Sequence, residues 1–472
     1  MVDHLRKMAK DGDTQGVKDL MEIHALMPNV TTAEMMYDFL KAKVFGGNIR
    51  GVKIRGEIRK QIQGVFYNSI LSAPITSIKA IGGTNLIAFM RPLQAYMGAK
   101  IMGNPQDAVI AASMLDAYGK AIGESFKMFQ HNWDQGLNRR TMSYDTKYDI
   151  GSDLAEWQSL KPKIERYGSF KDKIAYGITD RLVNFNTHPF MKYSQNAMGA
   201  GDAFARTIVG RMEMRAAATR EVLAEGADLK DAVKLAAKIE EKFRNKIFSK
   251  NREGRYVVSD AAAKMAGDEA AMTRPLQGNL AALEQLADIP FAKAFFPFVR
   301  TGFNALELSF EHTPLQMLLQ KHKDIMKSTD PVVLAKYGLT KETVGQAQAL
   351  LQGRMYMGST IIAGATLAAL SGNMTGDAPI DKETRKNMQQ QKIPFNSFKV
   401  PGTNTYVSYK NIEPFNTLFA MTANVVNNAH LFGEDLTDDL LKKIVFMTGS
   451  VLVDKSMLSG VEDLARVLNP ET

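Results

Sequence analysis

The chain has seven histidines, His4, His24, His131, His188, His312, His322 and His430, and none has a second histidine at the spacing a metal site needs. A lone histidine is more often a surface group or a hydrogen-bonded core residue than a ligand. Cysteine is absent, which removes thiolate ligands, disulfides and cysteine nucleophiles together. Gly82-Gly83 and Gly199-Ala200-Gly201 could cradle a phosphate, but both lack the Walker lysine with Ser/Thr and neither follows a convincing strand. They read as helix breaks or close-packing points. The adjacent carboxylates Asp438–Asp439 and Glu240–Glu241 diverge on a helix surface and read as a cap and a solvated face, not as an acid–base pair. No catalytic, cofactor-binding or metal-ligating residue is assigned, so the expectation is a protein that is not an enzyme and carries no cofactor.

Two basic clusters remain. Arg50, Lys53, Arg55, Arg59 and Lys60 form one, interrupted only by Glu57, and Lys242, Arg244, Lys246, Lys250 and Arg252 form the other. Neither lies in a helix-turn-helix or finger pattern, so the chemistry they offer is phosphate neutralisation without sequence readout. The first cluster is the candidate for weak DNA contact.

The segment Met355–Met374 carries no Asp, Glu, Lys, Arg or His, and Arg354 and Asp377 bracket it. Gly358, Ala363, Gly364 and Ala368 are its candidate helix-packing or membrane residues, because small side chains let helix backbones approach closely. Its length is close to the ~17–25 residues a bilayer crossing needs. A span and a buried helix in a soluble bundle both fit.

The elements that must position these groups read as helices almost throughout. The 472 residues are 45% hydrophobic and 23% charged, the ordinary globular balance, with a formal charge of +9 that biases the chain mildly towards anionic partners. Methionine is plentiful at 27 residues, suited either to a helical core or to surfaces that repack between neighbours. The start, Met1-Val-Asp-His-Leu-Arg-Lys, has no apolar h-region, so no secretory signal is expected. Thr31-Thr32-Ala33-Glu34 resembles a capping box, and Gln61–Met90 reads as an apolar helical hairpin bent at Pro74 and Gly82-Gly83.

Ala200–Glu225 carries the strongest helical periodicity, with Arg206, Arg211 and Glu213 mostly off its apolar face. Asp228 is a candidate cap for the next helix, and Ser249–Tyr256 reads as an exposed polar loop. Pro290–Phe310 is rich in phenylalanine and needs burial. Asn396–Val400 and Thr405–Tyr409 flank Pro401-Gly402-Thr403-Asn404 and predict a hairpin. Asn411–Phe432, Thr437–Val453 and Ser459–Leu468 return to helix. The predicted fold is mainly α, an elongated multi-helix assembly with one small β-hairpin, in four regions: 1–130, 131–288, 289–375 and 376–472.

Several phrases together resemble one family. NSILSAPITSIKAIGGTN (Asn68–Asn85), followed by Arg91-Pro92-Leu93, is similar to a leucine-leucine-serine-proline then asparagine-glycine-asparagine segment of very large virion proteins of short-tailed bacteriophages. Ala73-Pro74 keeps the proline, while Gly82-Gly83-Thr84-Asn85 departs from the glycine-asparagine pair. Asp202–Leu223, Phe295–Leu306, Gly376–Asp381 and Val407–Phe415 follow in that family's order. The resemblance is to internal virion, or ejection, proteins, which leave the capsid with the genome and assemble into a DNA conduit across the host envelope. It implies storage inside the virion, then a place in the host cell envelope. The implied partners are further copies of the chain, other core proteins and the portal, viral DNA held non-specifically, and the host inner membrane or periplasm. Family members are commonly longer and carry enzymatic regions elsewhere, and the resemblance assigns no catalytic residue here. The competing expectations are a peptidoglycan-degrading enzyme of the transglycosylase type and a core scaffold retained in the capsid.

Overall fold

Helix formers, aspartate caps and proline starts build most of the chain. The computed structural model describes residues 74–137, 170–186, 188–251, 256–275, 299–377, 382–410, 412 and 415–427. In chain order these form α1 (Pro74–Ile101), α2 (Pro105–Leu137), α3 (Phe170–Asn186), α4 (Pro189–Ala224), α5 (Leu229–Ile239) and α6 (Arg244–Ile247). Then come α7 (Ala261–Ala270), α8 (Val299–Glu311), α9 (Gln320–Lys327), α10 (Pro331–Ala335), α11 (Val344–Leu370), α12 (Lys382–Gln390) and α13 (Phe415–Asn427). Local chemistry explains the starts. Asp228, Asp260 and Asp330 each accept a backbone N–H of the first turn of α5, α7 and α10, which satisfies one otherwise orphaned donor. Asn104 does the same for α2 by accepting from Asp107 N at 3.2 Å, and Gly103 ahead of it adopts φ +68.

Contacts divide the chain into two units, residues 1–70 with 150–193 and residues 71–149 with 194–472. In the first, the described part is α3 and the first residues of α4. Tyr176, Thr179, Val183 and Asn186 are buried along α3 at three- and four-residue steps, while Ile174, Ile178 and Phe185 are exposed. The second unit holds everything that follows.

Its core is built around α4, the helix predicted most strongly. Phe204, Ile208, Val209 and Met212 of α4 pack with Ile87 and Ala88 of α1, Ile110 and Met114 of α2, Ala266 of α7 and Leu308 of α8. Methionine serves the interior here, since Met114, Met212, Met214 and Met374 are all buried. The expected polar face of α4 is corrected by the structure. Residues 201–210 are buried without exception, and the charges are drawn inward to partners on neighbouring elements. Arg206 donates to Asp202 and Asp268, both at 2.9 Å, Arg211 to Glu124 and Glu241, and Arg215 to Asp116 and Glu240 at 2.5 Å each. Glu240 and Glu241 are therefore ion-pair partners of α4, not simply a cap and a solvated face.

Three further differences from the sequence expectations have local causes. Helix α1 runs unbroken through Gly82-Gly83, so no hairpin bend lies there. Tertiary packing outweighs the ~1 kcal/mol that each helical glycine costs, and Ile81 lies against Gly201 of α4. The predicted hairpin is present as β4 (Ser397–Lys399) with β5 (Tyr406–Ser408), but β3 (Met374–Thr375) pairs antiparallel with β4 and makes a three-stranded sheet. The two ends of the expected loop Ser249–Tyr256 are strand, β1 (Phe248–Lys250) pairing antiparallel with β2 (Tyr256–Val258), while Lys250 and Tyr256 are exposed as expected and residues 252–255 lie outside the described residues. The capping box at Thr31, the hairpin segment 61–73 and the helices beyond Asn427 lie outside the described residues.

Candidate functional site

Helix α11 carries the uncharged segment, and its two halves behave differently. The N-terminal half lies in the core. Gly353 approaches Gln94 of α1 so closely that a Cβ there would fall on the Gln94 carbonyl oxygen, and a Cβ on Gly98 of α1 would fall on that of Ala349. The next close approach is Gly358, which faces the backbone carbonyl of His312 at the end of α8. These contacts bring Arg354, which the sequence suggested as a flank, into the interior at 1% exposure.

Arg354 sits in an ionic core assembled from five places in the chain. Its guanidinium donates to Glu269 at the end of α7, to Glu311 on α8, and through Nε to Gln94 Oε1 at 3.3 Å. Arg91 of α1 reaches Glu269 at 2.9 Å, Lys321 of α9 reaches Glu311 at 2.5 Å, and Arg274 pairs with Glu307 at 2.9 Å. Four cations thus surround three carboxylates. The loop carrying Arg274 turns through Met272 at φ 51 and is pinned by Asn304 Nδ2, which donates to the carbonyls of Met272 and Arg274 at 3.1 and 2.8 Å.

The surroundings fix the charge states. Burial alone would push the Glu311 carboxyl up, but Lys321 and Arg354 outweigh it and hold it down at about 2. Against the same opposing effect, Arg354, Arg91 and Lys321 hold Glu269 well below the usual carboxylate range. A glycosidase general acid needs the opposite, a carboxyl kept protonated near neutral pH, so neither glutamate suits that role.

His312 joins the cluster as a neutral ring. Leu308 O can only accept, so Nδ1 carries the proton at 2.7 Å from it, and Nε2 accepts from Gln94 Nε2 at 2.8 Å. Burial first, and the nearby Arg354 charge second, lower its pKa to about 4. A pH dependence follows. Between pH 6.5 and 4 the unfolded chain takes up a proton that the folded chain refuses, so stability falls as pH drops through that window, by about 3 kcal/mol in total. The two depressed carboxylates act in the same direction lower down: the stability they contribute above pH 4.5 is lost as pH falls towards 2. His312→Gln should flatten the first slope and leave the second, as read from urea denaturation across a pH series. An unchanged slope would remove His312 from the linkage.

The C-terminal half of α11 has one covered side and one open side. Ala365 and Ala369, with Ala368 beside them, pack against Met374, Tyr409, Ala420 and Ala423 from the sheet and α13. On the other side Tyr356, Thr360, Ala363, Leu367 and Leu370 stand exposed at alternating steps of four and three residues, and Gly364 lies open beside Ala363. Tyr356 is 54% exposed and the two leucines are each 69% exposed. This is the spacing of a helix-pairing seam.

Of the predicted packing residues, then, Gly358 and Ala368 pack within the chain while Ala363 and Gly364 face outward. Among the described residues no helix is long and apolar enough to cross a membrane. The cluster Arg50, Lys53, Arg55, Arg59 and Lys60 lies outside the described residues. In the second basic cluster, Arg244 is bound to Glu241 and Glu124, while Lys242, Lys246 and Lys250 are exposed. Among the described residues no group of His, Asp or Glu could hold a metal ion. The ionic core went unseen in the sequence, where Arg354, Glu311 and Glu269 are separated by 43 and 85 residues; an arginine inside an otherwise uncharged helix was its one local signal. No family model, curated protein or solved structure matches this chain.

Proposed function

We propose that the chain is an internal virion protein of a tailed phage, stored in the capsid, released with the genome, and assembled with further copies of itself into a DNA conduit through the host envelope. The observation that carries this reading is the open seam on α11. A chain whose interior takes in arginines and glutamates such as Arg354 and Glu311 leaves Tyr356, Ala363, Leu367 and Leu370 uncovered along one helix face. Such a face favours another helix as its neighbour. The order of the family-like phrases from Asn68 to Phe415 supports the same assignment. Other core proteins, the portal, viral DNA and the host inner membrane or periplasm are the remaining partners in this proposal.

Full virions and particles that have released their DNA provide the test. The chain should be present in the first and missing from the second. Retention in emptied particles would refute ejection and leave the core-scaffold reading. The seam has its own test in Gly364→Leu. Nothing lies within 4 Å of a Cβ built at Gly364, so the side chain is accommodated, and leucine improves helix propensity by ~0.5–1 kcal/mol over glycine. The expected variant melts at or slightly above the wild-type temperature, enters particles, and loses infectivity. Wild-type infectivity would take the seam out of the function.

A further inference from the structure

We infer that the half-open cavity bordered by α2, α4, α6 and strands β1 and β2 is a binding site for one nucleotide, presented free or as part of a single strand. It stands apart from α11 and from the ionic core, and the inference does not rest on the ejection reading. The cavity has a volume of about 410 Å³, within the ~300–1,000 Å³ of small-ligand sites. Its wall includes Met128 and Glu124 of α2, Arg244, Phe248, Lys250 and Tyr256.

Each of these groups can be accounted for. Gly210 of α4 has no side chain, which leaves room for the tip of the Phe248 ring to lie against the helix. Tyr256 is 37% exposed, a large ring with the Lys250 ammonium lying over it. The one anion in the wall, Glu124, already accepts from Arg211 and from Arg244 at 3.1 Å, so its charge is neutralised within the protein. Arg244 is in turn committed to Glu124 and Glu241. Lys250 is different: its Nζ lies 5.0 Å from the Tyr256 ring centroid, it is exposed, and among the described residues no carboxylate pairs with it. Asn245 and Ser249 add an amide and a hydroxyl to the wall.

An exposed aromatic ring beside an ammonium that no carboxylate holds among the described residues, with a few hydrogen-bonding groups, matches a base that stacks and a phosphate that is neutralised. A lipid chain would find too many polar groups here, and an acidic peptide would leave the rings unused. One ammonium without a carboxylate partner among the described residues suits one phosphate. A base inside a duplex is already stacked on its neighbours, so the site selects unpaired nucleotides.

Fluorescence anisotropy of a labelled oligothymidylate on the full chain at low salt tests this, with a duplex of equal length and thymidine monophosphate as competitors. The single strand should bind and the duplex should compete poorly. Tyr256→Ala should weaken binding about tenfold or more, Tyr256→Phe should restore it, and Lys250→Ala should weaken it and lower the log–log salt slope by ~0.7. Lys323→Ala, an exposed lysine on α9, should change nothing. Thermal melting confirms that each variant is folded. Full competition by the monophosphate identifies a free nucleotide as sufficient, whereas competition by the strand alone identifies the strand as the ligand. Absence of binding to the folded wild type, or equal binding by folded Tyr256→Ala, overturns the assignment.

Discussion

Arg354→Met is expected to destabilise the protein by about 3–5 kcal/mol, because it removes one partner of a buried ion-pair set and leaves carboxylates unpaired. The magnitude follows from where the charges lie. Arg354 and Glu311 are each 1% exposed and Glu269 is 8% exposed, so water cannot replace the lost donors. Gln94 loses the donor to its Oε1 as well, which loosens the amide that serves His312. Arg354→Lys should recover only part of the loss, since one ammonium cannot contact Glu269, Glu311 and Gln94 in the guanidinium's geometry. Arg354→Met combined with Glu311→Gln should be less destabilised than the sum of the single changes, because a cation and an anion leave together. Urea denaturation at pH 7 decides the matter. A cost below ~1 kcal/mol for Arg354→Met would mean that the ionic core does not hold these helices together.

The parts of this architecture that were legible in the sequence are the local ones. The helix at Ala200–Glu225, the Asp228 cap and the hairpin around Pro401-Gly402 are set by periodicity, a single side-chain bond and turn chemistry, all of which act within a few residues. The ionic core is built from separations of tens to hundreds of residues, and Arg354 viewed alone resembles the end of an apolar run. Strands β1, β2 and β3 are two or three residues long, too short to alternate visibly, so sequence pattern alone leaves Ser249, Lys250 and Tyr256 of the cavity wall in a loop. The uncharged stretch of α11 was legible, but which of its faces is covered was not. Gly364 and Ala365 are neighbours in sequence and point ~100° apart, one open and one packed against the sheet and α13.

Gly353→Ala is the second large effect expected, a loss of more than ~3 kcal/mol from one methyl group. Helices α1 and α11 cross at backbone contact: Gly353 lies over the Gln94 carbonyl and Gly98 over the Ala349 carbonyl, so each helix presents its glycine to the other's main chain. A Cβ at either position would fall far inside the 3.0 Å that real Cβ atoms keep from such atoms, and backbone cannot swing aside as a flexible side chain can. The helices must separate, and Gln94 and Arg354, which bond across the same crossing, separate with them. Gly98→Ala should cost a similar amount, and the double variant less than the sum, since one displacement relieves both collisions. Gly82→Ala, in the same helix α1 but with nothing within 4 Å, should instead stabilise by ~0.5–1 kcal/mol. Thermal melting of the four proteins separates these outcomes. A Gly353→Ala protein within 1 kcal/mol of wild type would show that α1 and α11 do not meet at their backbones, and the burial of Arg354 between them would lose its cause.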